Sequence, residues 1–215
     1  EFDGLWISVA KDPGESLYLS RYFVSIGYYS GAIQAARKVL DAAGLNDAQT
    51  LSAPAYFNHV RFGPYFAELL VPQAVRYSLD PLLLFSVVRQ ESLFGISAVS
   101  SANAHGLMQL IPSTAEEVAG KLGLTGLSQS DLRRPVINVQ LGSAYLAMQR
   151  DAFSGDLFLA LAAYNAGAGS AAAWRDLGGG DDDLLLEVIR ADETRNYIRR
   201  IFENYAIYRD IYQVQ

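Results

Sequence analysis

The sequence predicts an all-α or mostly-α fold, and three observations carry that prediction. Apolar residues recur at three- and four-residue intervals around positions 32–40 and 198–212. Helix-start signals punctuate the chain at Asp80-Pro81, Pro135 and Asp156. Period-two alternation is almost missing, and residues 93–106 offer at most a short hairpin.

Residues 15–44 read as two short helices joined at Gly27-Tyr28-Tyr29-Ser30-Gly31. The second places Ala32, Ala35, Ala36, Val39 and Leu40 on one face and stops at Gly44. One such hairpin resembles a single unit of a tetratricopeptide-like array. A lone unit cannot bury its own face, so it docks on the rest of the chain or caps an array lying elsewhere. Residues 46–66, with Pro54, Gly63, Pro64 and several aromatics, read as an ordered connector.

Asp80 and Pro81 then open a helix over Leu82–Glu91 that is apolar on most sides and therefore buried. Residues 93–106 are a loop rich in Ser, Ala and Gly. Ser113 and Glu116 have capping-box spacing for a helix ending near Gly123. Pro135 opens a helix to about Phe153, and Asp156 caps another through Tyr164 or Asn165. The run Gly178-Gly179-Gly180-Asp181-Asp182-Asp183 reads as a solvated loop. From Asp192, a stripe of Ile198, Ile201, Tyr205, Tyr208 and Tyr212 marks a final amphipathic helix.

Composition narrows the function. The chain has 215 residues, 51% of them apolar and 19% charged, which suits one globular domain with a smaller appendage. Its 17 basic and 23 acidic side chains give a formal charge of −6, which argues against sequence-independent binding to nucleic acid. With no cysteine, disulfides, thiolate metal sites and cysteine nucleophiles are excluded. Two histidines, His59 and His105, exclude a multi-histidine metal centre and leave two candidate bases for a Ser-His-Asp triad. No stretch is long and apolar enough to span a bilayer. The start, Glu1-Phe2-Asp3-Gly4, lacks the features of a signal peptide, and other domains of a longer precursor are allowed.

The most informative carboxyl group is that of Glu91, one turn beyond Val87 and Val88. Loss of hydration and the C-terminal end of the helix dipole both disfavour its ionised form. A carboxylic acid that stays protonated near neutral pH can donate a proton to a glycosidic oxygen. The plainer alternative is an exposed glutamate paired with Arg89.

Three further segments change the balance. Gly106-Leu107-Met108-Gln109 sets an amide in an apolar run, and Ala163-Tyr164-Asn165-Ala166-Gly167 ends a helix with adjacent phenol and amide groups. Glu193-Thr194-Arg195-Asn196-Tyr197 opens the last helix with an acid where the dipole favours its charge. Together with Arg89-Gln90-Glu91-Ser92, in this order and at this spacing, they resemble the catalytic domain of soluble-type lytic transglycosylases. The resemblance extends over roughly residues 65–212.

The resemblance implies a lysozyme-like helical domain, of the goose-type lysozyme and transglycosylase kind, over 61–215. A helical linker or remnant of a repeat region would precede it over 1–60. It implies cleavage of the β-1,4 bond between N-acetylmuramic acid and N-acetylglucosamine in peptidoglycan strands, leaving a 1,6-anhydro end. Glu91 would be the single catalytic acid and base. Ser92, Gln109, Tyr164 and Asn165 would line the substrate, and Glu193 would be a supporting polar residue. No metal and no other cofactor are implied, and the location would be the extracytoplasmic cell envelope.

Two positions depart from the family pattern: Ile111 stands where many relatives have methionine, and Arg190-Ala191-Asp192 lacks a proline often found there. A hydrolytic goose-type muramidase and a catalytically silent peptidoglycan-binding module are the competing readings. The product terminus distinguishes the first and the presence of Glu91 speaks against the second. A helical-repeat interaction protein would need more than the one unit seen.

Overall fold

The computed structural model of the chain describes residues 12–45, 49–179 and 182–212. Among them regular structure is helical, apart from isolated antiparallel bridges pairing Val99 with His105 and His105 with Leu110. The first bridge lies within residues 93–106, where the sequence offered at most a short hairpin, and the second reaches past that segment to Leu110.

Helices α1 (Pro13–Ser25) and α2 (Tyr29–Ala42) form the expected hairpin. Asp12 caps α1 by accepting from the backbone of Gly14 at 2.7 Å. Ala32, Ala35 and Ala36 are fully buried, and such small side chains let α1 lie close along α2. The hairpin docks on the remaining chain: Ile33 enters the main core, and the Tyr29 ring stacks on Tyr65 at 4.0 Å.

The expected connector contains regular structure. A 3-10 turn at Gln49–Ser52 leads to α3 (Ala55–Arg61), and α4 (Ala67–Arg76) follows. Residues 46–48 of the connector lie outside the described residues. Pro72 sits inside α4, where it would ordinarily break a helix. Burial of Leu70 and Ala74 against the core holds α4 in place.

Helix α5 (Pro81–Ser92) is the buried centre of the domain. Every residue from Leu83 to Val88 is buried, as its all-round apolar pattern requires. The Asp80 carboxylate accepts from the backbone of Leu82 at 2.8 Å and from the Tyr205 phenol at 2.6 Å, tying the start of α5 to the last helix.

Helix α6 (Pro112–Lys121) begins two residues earlier than the capping-box spacing suggested, with Ile111 rather than Ser113 at the cap position. Pro112 takes the first helical position, so Ser113 lies inside the helix and makes no cap. Helices α7 (Pro135–Ala152), α8 (Leu157–Ala166), α9 (Ala168–Gly178), α10 (Asp182–Val188) and α11 (Asp192–Tyr212) complete the chain. The Gly/Asp run is not one loop. Gly178 closes α9, Asp182 opens α10, and Gly180 and Asp181 lie outside the described residues. Leu185 and Ile189, both buried, supply the apolar contacts that draw α10 inward. α11 packs along α5 and α8, and this places its first turn beside the end of α5.

Candidate active site

Just past Ser92 the chain reverses through Leu93 and Phe94, both with left-handed backbone at φ 49° and 61°. Such conformations cost about 1–3 kcal/mol each for residues with a side chain. Burial of Phe94, with its ring edge-on to Tyr65 at 5.3 Å, holds the reversal. The following loop returns over the end of α5 and is clamped by Asn138 of α7, which is fully buried. The Asn138 amide oxygen accepts from the backbone of Met108 at 2.7 Å, and its nitrogen donates to the carbonyls of His105 and Leu132, both at 2.8 Å. Gly106 is needed where the clamp closes: its φ is +77°, and a Cβ there would sit 2.3 Å from the Leu132 carbonyl oxygen.

Loop and helices enclose a cavity of about 530 Å³ lined by Glu91, Gln109, Tyr164, Asn165 and Glu193. Five of the six residues singled out in the sequence therefore share one cleft. Ile111, one of the two departures from the family pattern, forms part of its wall. Tyr145 also lines it, with its ring 5.0 Å from that of Tyr164.

Ser92 is placed differently. Its hydroxyl donates to the Leu107 carbonyl at 2.8 Å and is not part of the cavity lining. Its contact fastens the loop to α5.

Gln109 adopts a left-handed backbone, φ 46°, and its amide nitrogen donates to the carbonyls of Gly106 at 2.8 Å and Ala98 at 3.2 Å. Only the nitrogen can bond two carbonyls, so the side-chain oxygen is left as the acceptor available to a ligand. For Asn165 the opposite holds. The buried Thr194 hydroxyl donates to its side-chain oxygen at 2.7 Å, leaving the amide nitrogen as the free donor. Tyr164 donates to the Met108 carbonyl at 2.7 Å, so its phenol both borders the cleft and supports the loop. Glu193 is exposed in the first turn of α11.

Glu91 is half-buried and accepts a hydrogen bond from the Tyr197 phenol, 2.5 Å from Oε1. Loss of hydration pushes its pKa up to about 8. The Tyr197 bond favours the carboxylate and offsets only part of that shift. Burial also raises the Tyr164 and Tyr197 phenols well above their ordinary value, and the neighbouring Glu91 charge adds to it. Both phenols therefore stay neutral beside Glu91, Tyr197 donating to the acid and Tyr164 to the Met108 carbonyl. The cleft thus presents one carboxyl group that is protonated near neutral pH and one, Glu193, held in the open.

Tyr197 and Thr194 are the contacts that sequence reasoning did not assign to the site. Both lie in the quoted Glu193–Tyr197 segment, but an aromatic in a tyrosine-rich helix reads first as packing.

The family model for the transglycosylase SLT domain matches residues 69–184, more than half of the chain. The chain belongs to this family.

Among relatives of the SLT family, the soluble lytic murein transglycosylase of Escherichia coli is 28% identical over 209 residues, 95% of this chain and 30% of its own length. The membrane-bound lytic murein transglycosylase C of Histophilus somni is 36% identical over 135 residues, 58% of this chain and 37% of its own. An inactive glutamate-to-glutamine mutant of the lytic transglycosylase Slt from Pseudomonas aeruginosa superposes with a TM-score of 0.78 at 32% identity, covering 95% of this chain and 32% of that one. The fold is thus that of the lysozyme-like lytic transglycosylases. The chain spans about a third of the length of the relatives it matches.

Proposed function

We propose that this SLT-family chain is a peptidoglycan lytic transglycosylase that cleaves the N-acetylmuramic acid–N-acetylglucosamine β-1,4 bond without consuming water. The observation that carries the reading is Glu91, a carboxyl group protonated near neutral pH in a cleft with neutral hydrogen-bonding groups around it.

In this reading Glu91 gives its proton to the glycosidic oxygen as the bond to C1 breaks, and the N-acetylglucosamine side leaves as an alcohol. The resulting Glu91 carboxylate then takes the proton of the muramoyl C6 hydroxyl while that oxygen bonds to C1. Atoms balance: one C–O bond is exchanged for another within the sugar, and Glu91 ends protonated as it began. The Tyr197 hydrogen bond stabilises the carboxylate midway, when the acid has lost its proton. The Asn165 amide and the Gln109 carbonyl supply one donor and one acceptor to sugar substituents without introducing a competing charge.

The relatives named murein transglycosylases support peptidoglycan as substrate. We place the protein accordingly in the cell envelope outside the cytoplasmic membrane, where that polymer lies. No helix among the described residues is long and apolar enough to cross a membrane.

The deciding experiment is mass spectrometry of the products released from purified sacculi. Muropeptides lighter than the reducing-end forms by one water support the transglycosylase. Full-mass reducing ends would instead make Glu91 the acid of a hydrolase, with Glu193 as the carboxylate able to activate water. No release with glycan binding retained would favour a binding module.

A further inference from the structure

The last turn of α5 has a second face. Arg89, Gln90 and Leu93 look away from the Glu91 side into a cavity of about 640 Å³ walled by α2, α5 and α11. Four arginines line it, Arg37, Arg61, Arg89 and Arg200, against one carboxylate, Glu203. Arg37 is already paired with Asp41 at 2.6 Å, which leaves Arg89 and Arg200 as the cations on which the cavity's charge turns.

Arg89 is the informative member. Its Nε donates to the Arg61 carbonyl at 3.0 Å, and its guanidinium lies 4.3 Å over the Phe62 ring. These contacts fix the plane of the group. Neither terminal nitrogen has a hydrogen-bond partner among the described residues, and no carboxylate lies within ion-pair distance. Burial lowers its pKa, the expected cost of holding a cation away from water. Arg200, exposed on α11, has no ion pair among the described residues either. Two arginine forks with unused donors thus line one cavity, with the amides of Gln90 and Asn204 beside them.

From this placement we infer that the cavity between α2, α5 and α11 is an anion-binding site, taking an oxyanion group, carboxylate or phosphoryl, on Arg89 and Arg200. The guanidinium fork matches both groups, and an anion there relieves the unpaired charge at Arg89. Bound, it bridges α5 and α11, the two helices that carry Glu91 and Tyr197. Binding is separate from the chemistry of Glu91 and stands whether or not the chain cleaves glycans.

The test is titration of the chain with sodium phosphate and, separately, sodium citrate, each against sodium chloride at matched ionic strength. Arginine Nε–H resonances and the unfolding midpoint are followed together. Saturable movement of the Arg89 resonance with a raised midpoint is the expected result. A response to phosphate alone assigns a phosphoryl group, a response to citrate alone a carboxylate, and a response to both a general oxyanion site. Arg200→Ser removes an exposed side chain with no ion pair, so it should fold as the parent does and bind at least about tenfold more weakly. Arg89→Gln should bind more weakly still. Responses no greater than those to chloride would overturn the inference, as would parental affinity in Arg200→Ser.

Discussion

The Tyr197 phenol meets the Glu91 carboxyl group at 2.5 Å across 106 residues of sequence, joining the last turn of α5 to the second turn of α11. Burial raises the acid's pKa and this bond restrains the rise. Tyr197→Phe keeps the packing and removes the restraint, so the Glu91 pKa should climb further above about 8. The alkaline limb of the pH–rate profile is expected to move upward while turnover falls, because the carboxylate formed midway loses its donor. A lower melting temperature with an unmoved pH limb would reduce Tyr197 to a core residue.

Glu91→Gln removes the proposed proton donor and should lower muropeptide release at least about a hundredfold. It also has a consequence for stability. The folded-state pKa, about 8, lies above the ordinary 4.5, so between these values the folded chain holds a proton that the unfolded chain has released. Stability from this group is full below about 4.5 and is lost as pH rises through about 8. The parent should therefore lose stability relative to Glu91→Gln over that window. Parallel stability curves for the two proteins, measured by urea unfolding at several pH values, would show that Glu91 titrates normally.

How much of this was legible in sequence depends on whether the cause was local. The start of α5 at Asp80-Pro81 and the apolar setting of Glu91 are properties of one contiguous helix, and both can be read directly. The Glu91–Tyr197 contact depends on how α11 lies along α5, which no spacing within either helix reveals. No sequence signal was read over residues 67–76; there Pro72 sits inside α4, and burial of Leu70 and Ala74 holds the helix. Ser92 showed its proximity to the site but not its direction, since its hydroxyl turns to the Leu107 carbonyl. Ser113 had the spacing of a cap, but Pro112 starts the helix first.

Asn138 was not singled out in sequence, although it holds the loop that carries Met108 and Gln109. Asn138→Asp keeps the shape but cannot donate to the His105 and Leu132 carbonyls, and its charge would be buried at a site with no exposure. A loss of about 3 kcal/mol or more in urea unfolding is expected. Activity should fall with it, since the loop closes one side of the cleft. A variant as stable as the parent would mean that the loop is held by its other contacts.

Tyr164→Phe tests a shared duty. Removing the phenol leaves the Met108 carbonyl without its donor, at a cost of about 1–3 kcal/mol. The same change removes the neutral phenol oxygen that borders the cleft beside the acid, where it can accept from a ligand, so turnover at a temperature well below unfolding should also fall. Stability lost with turnover intact would confine Tyr164 to supporting the loop.

Thr194 acts through Asn165. Its hydroxyl is the donor that keeps the Asn165 oxygen turned inward and the amide nitrogen free. Thr194→Val has nearly the same shape and cannot donate, so the amide can rotate and offer either end to the cleft. If Asn165 contacts the sugar equally in the bound and reacting states, KM should rise with kcat little changed; if the contact tightens during reaction, kcat should fall. Thr194→Ser restores the hydroxyl and should recover the parent's kinetics. Loss in Thr194→Val that Thr194→Ser does not repair would point to packing of the buried threonine methyl group, and Asn165 would need another orienting partner.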